Sequence, residues 1–328
     1  SITIPNTVTS IGNEAFTYAS RLTTVNISQT DSSLNIIGNE AFIQATSLTS
    51  ITIPDSVTEI GSYAFWQAKG LTAVNIPSSV TNIGYSAFAY TASVVSYSVD
   101  KDSTTYTSIN GVLYQMKDDT LELIKYPTAN HRKSFEIQNN VVVIAPRAFG
   151  ILDDTPLSSL IQITFESYSQ LKTISEWAFR RSSITSINIP SSVTNIGENA
   201  FDWVTNLASI TIPDSVTIDV NAFDNISQNP TVYVVDVSGD VTFEDFKMTF
   251  NASTNISDNN IRYVDITNRD ITNRDITNLN DPKSELILTN KKLYGVNQKL
   301  SPGIGRTLNM NVNNYIGSLG RSKKKILI

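Results

Sequence analysis

Chemistry that depends on a nucleophile or a bound metal has little to work with in this chain. Its 328 residues hold no cysteine, which removes thiolate catalysis, disulfides and cysteine-rich metal sites together. The single histidine, His131, lies in Asn130-His131-Arg132-Lys133. A histidine-dependent triad or a multi-histidine metal site would need partners that the chain does not supply, and a solvated loop position accounts for this residue. Asp236, Asp240, Glu244 and Asp245 cluster in sequence, but their spacing is not that of a calcium loop. No nucleophile elbow, phosphate loop or histidine metal motif is present. The expectation is a non-enzymatic protein with no catalytic residues, no metal and no cofactor.

Residues suited to recognition are more plentiful. The chain is 40% hydrophobic but only 16% charged, against about 25% charged for an ordinary soluble domain, so its polar surface must be largely Ser, Thr and Asn. Uncharged surfaces of that kind are common on extracellular β-rich proteins and give little electrostatic steering. Five aromatics, Tyr18, Trp66, Tyr90, Trp177 and Trp203, recur beside Ala-Phe pairs and are candidate contacts, because exposed aromatics anchor interfaces. Asn26, Asn225, Asn251 and Asn255 begin Asn-x-Ser sequons, which matter only in a eukaryotic secretory pathway.

The elements that must position these residues come from a repeat. The phrase Ile-x-Ile-Pro-x-Ser-Val-Thr-x-Ile-Gly-x-x-Ala-Phe recurs, with clear copies starting at Leu48, Leu71, Ile184 and Leu207. The phenylalanine that closes each unit falls at 16, 42, 65, 88, 149, 179, 201 and 223, so the spacings are 26, 23, 23, 61, 30, 22 and 22. A period of 22 to 23 lies in the leucine-rich-repeat range, with one large insertion after Phe88. In one unit Ile51 and Ile53 alternate with Ser50 and Thr52, which predicts a strand with one buried and one wet face. Pro54 ends the strand, because it cannot donate to a ladder. Val57 and Ile60 return to the interior, Gly61 permits a tight path, and Ala64-Phe65 plugs the layer. Each unit alone exposes half its apolar surface, and stacking buries it. The wet strand positions Thr24, Asn26, Ser50, Thr52, Asn75, Ser186, Asn188, Ser209 and Thr211 then form a candidate concave binding face.

These repeats resemble the BspA-like leucine-rich repeats of surface proteins from bacteria, parasitic protists and large viruses. The resemblance covers about residues 1 to 264. Family repeats carry a packed cysteine three residues after the phenylalanine; here those positions hold Ala19, Ala45, Ala68, Thr91, Leu152, Ser182, Val204 and Ile226. The resemblance implies a β-rich repeat solenoid, a right-handed leucine-rich-repeat coil with one β-hairpin insertion, a small α/β C-terminal cap and an extended tail. It implies repeats over 1–227 with the insertion at 93–140, where two strands flank a turn at Asp118-Asp119, and a cap over 228–264. The cap is read as a strand, a short helix through Phe243, Phe246 and Phe250, and a strand. Ser1-Ile2-Thr3-Ile4-Pro5 matches Ser50-Ile51-Thr52-Ile53-Pro54, so the chain is expected to start inside a repeat.

The C-terminal part departs from the repeat. Residues 265–280 repeat a five-residue phrase, Asp-Ile-Thr-Asn-Arg, as a stalk or a linker. The arm 281–328 is basic: from Pro282 onward Lys283 and a candidate attachment set, Lys291, Lys292, Lys299, Arg306, Arg321, Lys323, Lys324 and Lys325, face one acid, Glu285. That is a net +8, leaving −14 for residues 1–281 of a chain whose total is −6. Such asymmetry suggests that the two ends meet different partners. The expected function is a surface-displayed recognition or adhesion module, at a cell or virion surface, that binds a protein or glycan while the arm attaches it to another chain of an assembly. The alternative is a structural subunit of a sheath, filament or capsid decoration. Nucleic acid is not an expected partner, since only Tyr294 and Tyr315 are available to stack bases in the arm. No apolar run reaches the roughly 18 residues of a membrane span.

Overall fold

The computed structural model describes residues 1–152, 159–226, 230–235 and the backbone of 236 and 261–265. Two compact units emerge, one of Ser1–Arg132, Val143–Leu160 and Ser175–Ser182, the other of Lys133–Val142, Ile161–Ile174 and Ser183–Ile328. Both are β-solenoid in construction, and no α-helix occurs among the described residues.

In the first unit the strands Ile2–Ile4, Thr24–Ile27 and Ser50–Ile51 pair in parallel, with Ile2 opposite Val25 and Val25 opposite Ile51. Ala73–Ile76 and Ser96–Val99 pair in the same way. A second parallel ladder joins Ser10–Ile11, Ile36–Ile37, Glu59–Ile60 and Asn82–Ile83. The second unit holds a parallel sheet in the order Ser134–Ile137, Gln162–Phe165, Ser186–Asn188, Ser209–Pro213, Thr231–Asp236 and Ile261–Asp265. Its short ladder is Thr173–Ile174, Asn195–Ile196 and Thr217–Ile218. Equivalent residues of successive repeats are partners in register, which is what a fixed period with a buried face requires.

The core follows the repeat. Ile51, Ile53, Val57, Ile60, Ala64 and Phe65 are all buried, and fully burying one such large side chain is worth about 1.5–3 kcal/mol. The phenylalanines stack in columns, Phe16 on Phe42, Phe42 on Phe65 and Phe65 on Phe88, at 5.1, 5.2 and 5.4 Å. Phe149 on Phe179 continues the pattern in the first unit at 5.0 Å, and Phe201 on Phe223 in the second at 5.1 Å. The position three residues after the phenylalanine is interior at Ala45, Ala68, Thr91, Ser182 and Val204.

The glycine of the repeat is there because a Cβ would clash, as the tight path read from the sequence requires. Gly61 does not need an unusual dihedral; the coils approach so closely there that an added Cβ would lie 2.5 Å from the backbone of Gly38 and Asn39. Gly84 sits over Ser62 in the same way, at 2.3 Å. The left-handed backbone falls instead on non-glycine residues around each phenylalanine. Two residues before it, Glu14, Glu40, Tyr63, Ser86, Arg147, Trp177, Asn199 and Asn221 all have φ between 51° and 59°. Two residues after it Tyr18, Gln44, Gln67, Tyr90, Arg181, Trp203 and Asn225 have φ between 55° and 61°. Such a conformation is uncommon for bulky side chains and persists only where the surroundings fix it. At Phe42 the turn is held by three forward bonds: the N–H groups of Glu40, Phe42 and Gln44 donate to the carbonyls of Ser62, Ala64 and Trp66 at 2.9, 2.7 and 2.8 Å. The glycine end is bonded backward, Gly61 N–H to Ile37 O at 2.7 Å.

The insertion contains three antiparallel strands where the sequence reading has two: Tyr106–Ile109, Val112–Lys117 and Thr120–Lys125. The extra turn is Asn110-Gly111, both at positive φ (55° and 80°), the combination a two-residue primed hairpin turn demands. Tyr106 ties the insertion to the preceding coil by accepting the Ile83 N–H at 2.8 Å. The proposed cap helix at 242–250, the five-residue repeats after Asp265 and the basic arm lie outside the described residues.

Candidate recognition cleft

Three of the five aromatics singled out from the sequence, Trp66, Tyr90 and Trp177, converge on one open cleft of about 410 Å³ that lies wholly within the first unit. One wall comes from the turns around Phe42, Phe65 and Phe88 and presents Glu40, Ile43, Tyr63, Trp66 and Tyr90. The other comes from the turns around Phe149 and Phe179 and presents Arg147, Leu152, Trp177 and Arg180.

These residues share repeat positions. Glu40, Tyr63, Arg147 and Trp177 each stand two before a phenylalanine, in the left-handed conformation that turns a side chain out of the layer. Ile43, Trp66 and Arg180 each stand one after. Between the two walls in sequence runs the segment around Tyr126, 23 residues before Phe149. Tyr126 stacks on Phe149 at 5.1 Å and its N–H donates to Ala148 O at 3.0 Å, so it takes the place of a repeat phenylalanine. Pro127 and Thr128 follow it instead of an outward loop, and Thr128 Oγ1 donates to Thr91 O at 3.2 Å. A coil without the two protruding lobes leaves room for a cleft between turns that have them.

The cleft is electrostatically ordered. Arg147 Nη1 donates to Tyr85 Oη at 2.5 Å and to Ser86 Oγ at 3.2 Å, and stands 3.8 Å from the Glu176 carboxylate. Tyr85 in turn donates its hydroxyl to Glu176. Burial, and then the bond to Glu176, push the Tyr85 phenol up to about 12, so it remains a donor at neutral pH. The Arg147 guanidinium packs 5.4 Å from the Tyr85 ring centroid and 5.8 Å from that of Trp177, and Arg180 lies 5.2 Å from Trp177. Such cation–aromatic contacts fix a guanidinium plane. Beneath the Arg147 turn, Lys125 Nζ is buried and donates to Arg147 O at 2.9 Å. Burial, then the nearby Arg147 charge, bring the Lys125 ammonium down to about 7.

Tyr90 is not the exposed contact expected of it: it is 5% exposed, because its ring meets Trp66 edge-on at 5.7 Å. Tyr18, at 65% exposed, does not line the cleft, and Trp203, at 40%, belongs to the second unit. The polar strand ladder stays apart. Thr24, Asn26, Ser50, Thr52 and Asn75 lie on the outer strand face of the first unit, and Ser186, Asn188, Ser209 and Thr211 in the second. Thr211 departs from the wet-face expectation. It is buried between Asn188 and Tyr233 in the ladder and donates to Asn188 Oδ1 at 2.8 Å. His131 is exposed. Asp240, Glu244 and Asp245 lie outside the described residues, among which no group of three or more metal-ligating side chains occurs. Among the described residues no helix is long and apolar enough to cross a membrane. The arm set from Lys291 to Lys325 also lies outside them. Sequence reasoning missed Glu40, Ile43, Tyr63, Arg147, Leu152 and Arg180; the signal was their fixed offset from the phenylalanines.

A family model described as BspA type leucine rich repeat region matches in six copies, over residues 1–111 and 128–243. No curated protein sequence matches the chain. Among solved structures, a leucine-rich repeat protein from Eubacterium ventriosum is 23% identical over 71% of this chain and 65% of its own, with a TM-score of 0.53. The pneumococcal vaccine antigen PcpA is also 23% identical, over 79% of this chain and 78% of its own, with a TM-score of 0.52. A leucine rich cell surface protein from Faecalibacterium prausnitzii is 26% identical over 78% and 82%, with a TM-score of 0.43. The first two show the shared fold.

Proposed function

The chain belongs to the BspA-type leucine-rich-repeat family, and from that membership we propose that it is a non-enzymatic, surface-displayed recognition module that binds its partner through the cleft between the Phe42–Phe88 and Phe149–Phe179 turns. The observation that carries the reading is the convergence of Tyr63, Trp66, Trp177, Arg147 and Arg180 on one concavity. Trp, Tyr and Arg are the residue types that dominate binding energy at protein interfaces. The low charge and the Ser, Thr and Asn content of the outer strand face support display outside the cell or particle. In the same reading the basic arm, with its net +8 against the −14 of the rest, fastens the module to a larger assembly.

The test is a binding screen of the full chain against extracellular proteins and a glycan array, in parallel with the double variant Trp66→Ala/Trp177→Ala. Partner binding by the native chain, weakened at least tenfold in the variant at an unchanged circular dichroism spectrum, is the expected result. Undiminished binding by the variant would remove the cleft from the proposal, and no binding by the native chain would remove the recognition role.

A further inference from the structure

We propose that the cleft receives a peptide segment of a partner protein in which a carboxylate side chain is flanked by apolar residues, with Arg147 as the carboxylate anchor and Trp177 as the residue that positions it. The proposal rests on the recognition role argued above and adds the chemistry of the ligand.

Among the described residues, the polar contacts of Arg147 all leave from one terminal nitrogen: Nη1 serves Tyr85 Oη, Ser86 Oγ and the Glu176 carboxylate. A guanidinium carries five N–H donors in a planar fork, and the edge formed by Nη2 and Nε matches the two oxygens of a carboxylate. The first edge, tied to Tyr85 and Ser86, fixes the side chain, and the rings of Tyr85 and Trp177 hold its plane. An anion that meets an already ordered guanidinium avoids most of the side-chain ordering cost of binding. Arg147 and Arg180 outweigh Glu176 on one wall and Glu40 stands on the other, so a carboxylate is steered toward Arg147 and a second one near Glu40 is disfavoured.

The rest of the lining favours a peptide over a sugar. Ile43, Leu152 and Trp66 supply apolar surface, and among the described residues no amide or aliphatic hydroxyl side chain lines the cleft. A saccharide would bring several hydroxyls out of water with few partners to replace it, at a cost that an aliphatic or aromatic side chain does not incur. The Trp177 ring that would stack on a sugar is also engaged, since it packs against two guanidiniums. Leu152 stands where the family keeps its cysteine, yet it lines the cleft, whereas Ala45 and Ala68 at the same repeat position are buried.

The experiment titrates the full chain, in a Trp203→Phe background that leaves Trp66 and Trp177 as the two fluorophores, with N-acetyl-Leu-Glu-Phe-amide, its Gln twin and an oligogalacturonate. Saturable quenching by the Glu peptide, at least tenfold weaker with the Gln peptide, is expected. Arg147→Lys keeps the charge but loses the fork, and weakens the Glu peptide at least tenfold. Trp177→Leu weakens the Glu peptide more than the Gln peptide, so that the ratio between them falls toward one, whereas a merely structural loss of cleft surface would weaken both alike. Equal affinity for the two peptides, or no saturation below about 10 mM, overturns the proposal. Saturable binding of the oligogalacturonate without the peptide overturns the ligand class and leaves the recognition role standing. That role fails separately, if the native chain binds no partner in the screen.

Discussion

Tyr126 stacks on Phe149 with ring centroids 5.1 Å apart and planes inclined by 26°, in the place that a repeat phenylalanine would occupy one period earlier. The interval of 61 residues between Phe88 and Phe149 therefore contains a coil whose core rung is kept and whose outward lobes are gone. Tyr126→Phe should leave the melting temperature nearly unchanged, because the rung is a ring contact. Tyr126→Ala should cost about 3–5 kcal/mol, the range for losing a buried aromatic, read by urea denaturation.

The close approach at the glycine column makes a paired prediction. Gly61→Ala places a Cβ 2.5 Å from the backbone of the preceding coil, whereas a Cβ on Gly12 meets nothing within 4 Å. The first should destabilise by at least the 1–3 kcal/mol typical of overpacking, on the order of several degrees in melting temperature. The second should be close to neutral. Equal effects at the two sites would show that the dihedral, and not the contact, is what the column selects.

Left-handed turn residues give a third. Gln67 has φ 57°, and a β-branched side chain is disfavoured there by its clash with the backbone. Gln67→Ile should lose about 1–2 kcal/mol and Gln67→Asn should lose little, since asparagine tolerates this region. Thermal melts of the two variants decide it.

Lys125 makes stability depend on pH. Its folded-state value, lowered to about 7 by burial and then by Arg147, lies below the usual value of a lysine. Between about pH 7 and 9 the unfolded chain holds a proton there that the folded chain has released, so stability rises with pH, by at most about 1.4 kcal/mol per unit. Below about pH 7 both states are protonated, and this contribution to stability is at its minimum. Lys125→Met should flatten the slope between pH 7 and 9 in urea midpoints, and an unchanged slope would assign it to another group.

The repeat fold was legible because its causes are local and periodic. The alternation of Ile51 and Ile53 with Ser50 and Thr52, the stop at Pro54 and the plug at Ala64-Phe65 reproduce themselves every 22 to 23 residues, and equal periods stack in register. The cleft was half legible. Trp66, Tyr90 and Trp177 stood out by type, but whether a ring is open or covered depends on neighbours a full coil away. That is why Tyr90 proves buried and Arg147, an unremarkable arginine in sequence, becomes central.

The amino-acid sequence by itself determined the period, the family, the buried column of phenylalanines and the scarcity of catalytic side chains. Those follow from composition and spacing, which no folding event changes. Tertiary structure decided which backbone each glycine lies against, and that the left-handed residues lie on either side of each phenylalanine. It also decided that Tyr126 keeps its rung without a lobe, and that Arg147 meets Tyr85 from 62 residues away. Each of these is set by what the adjacent coil presents, a distance no spacing along the chain encodes.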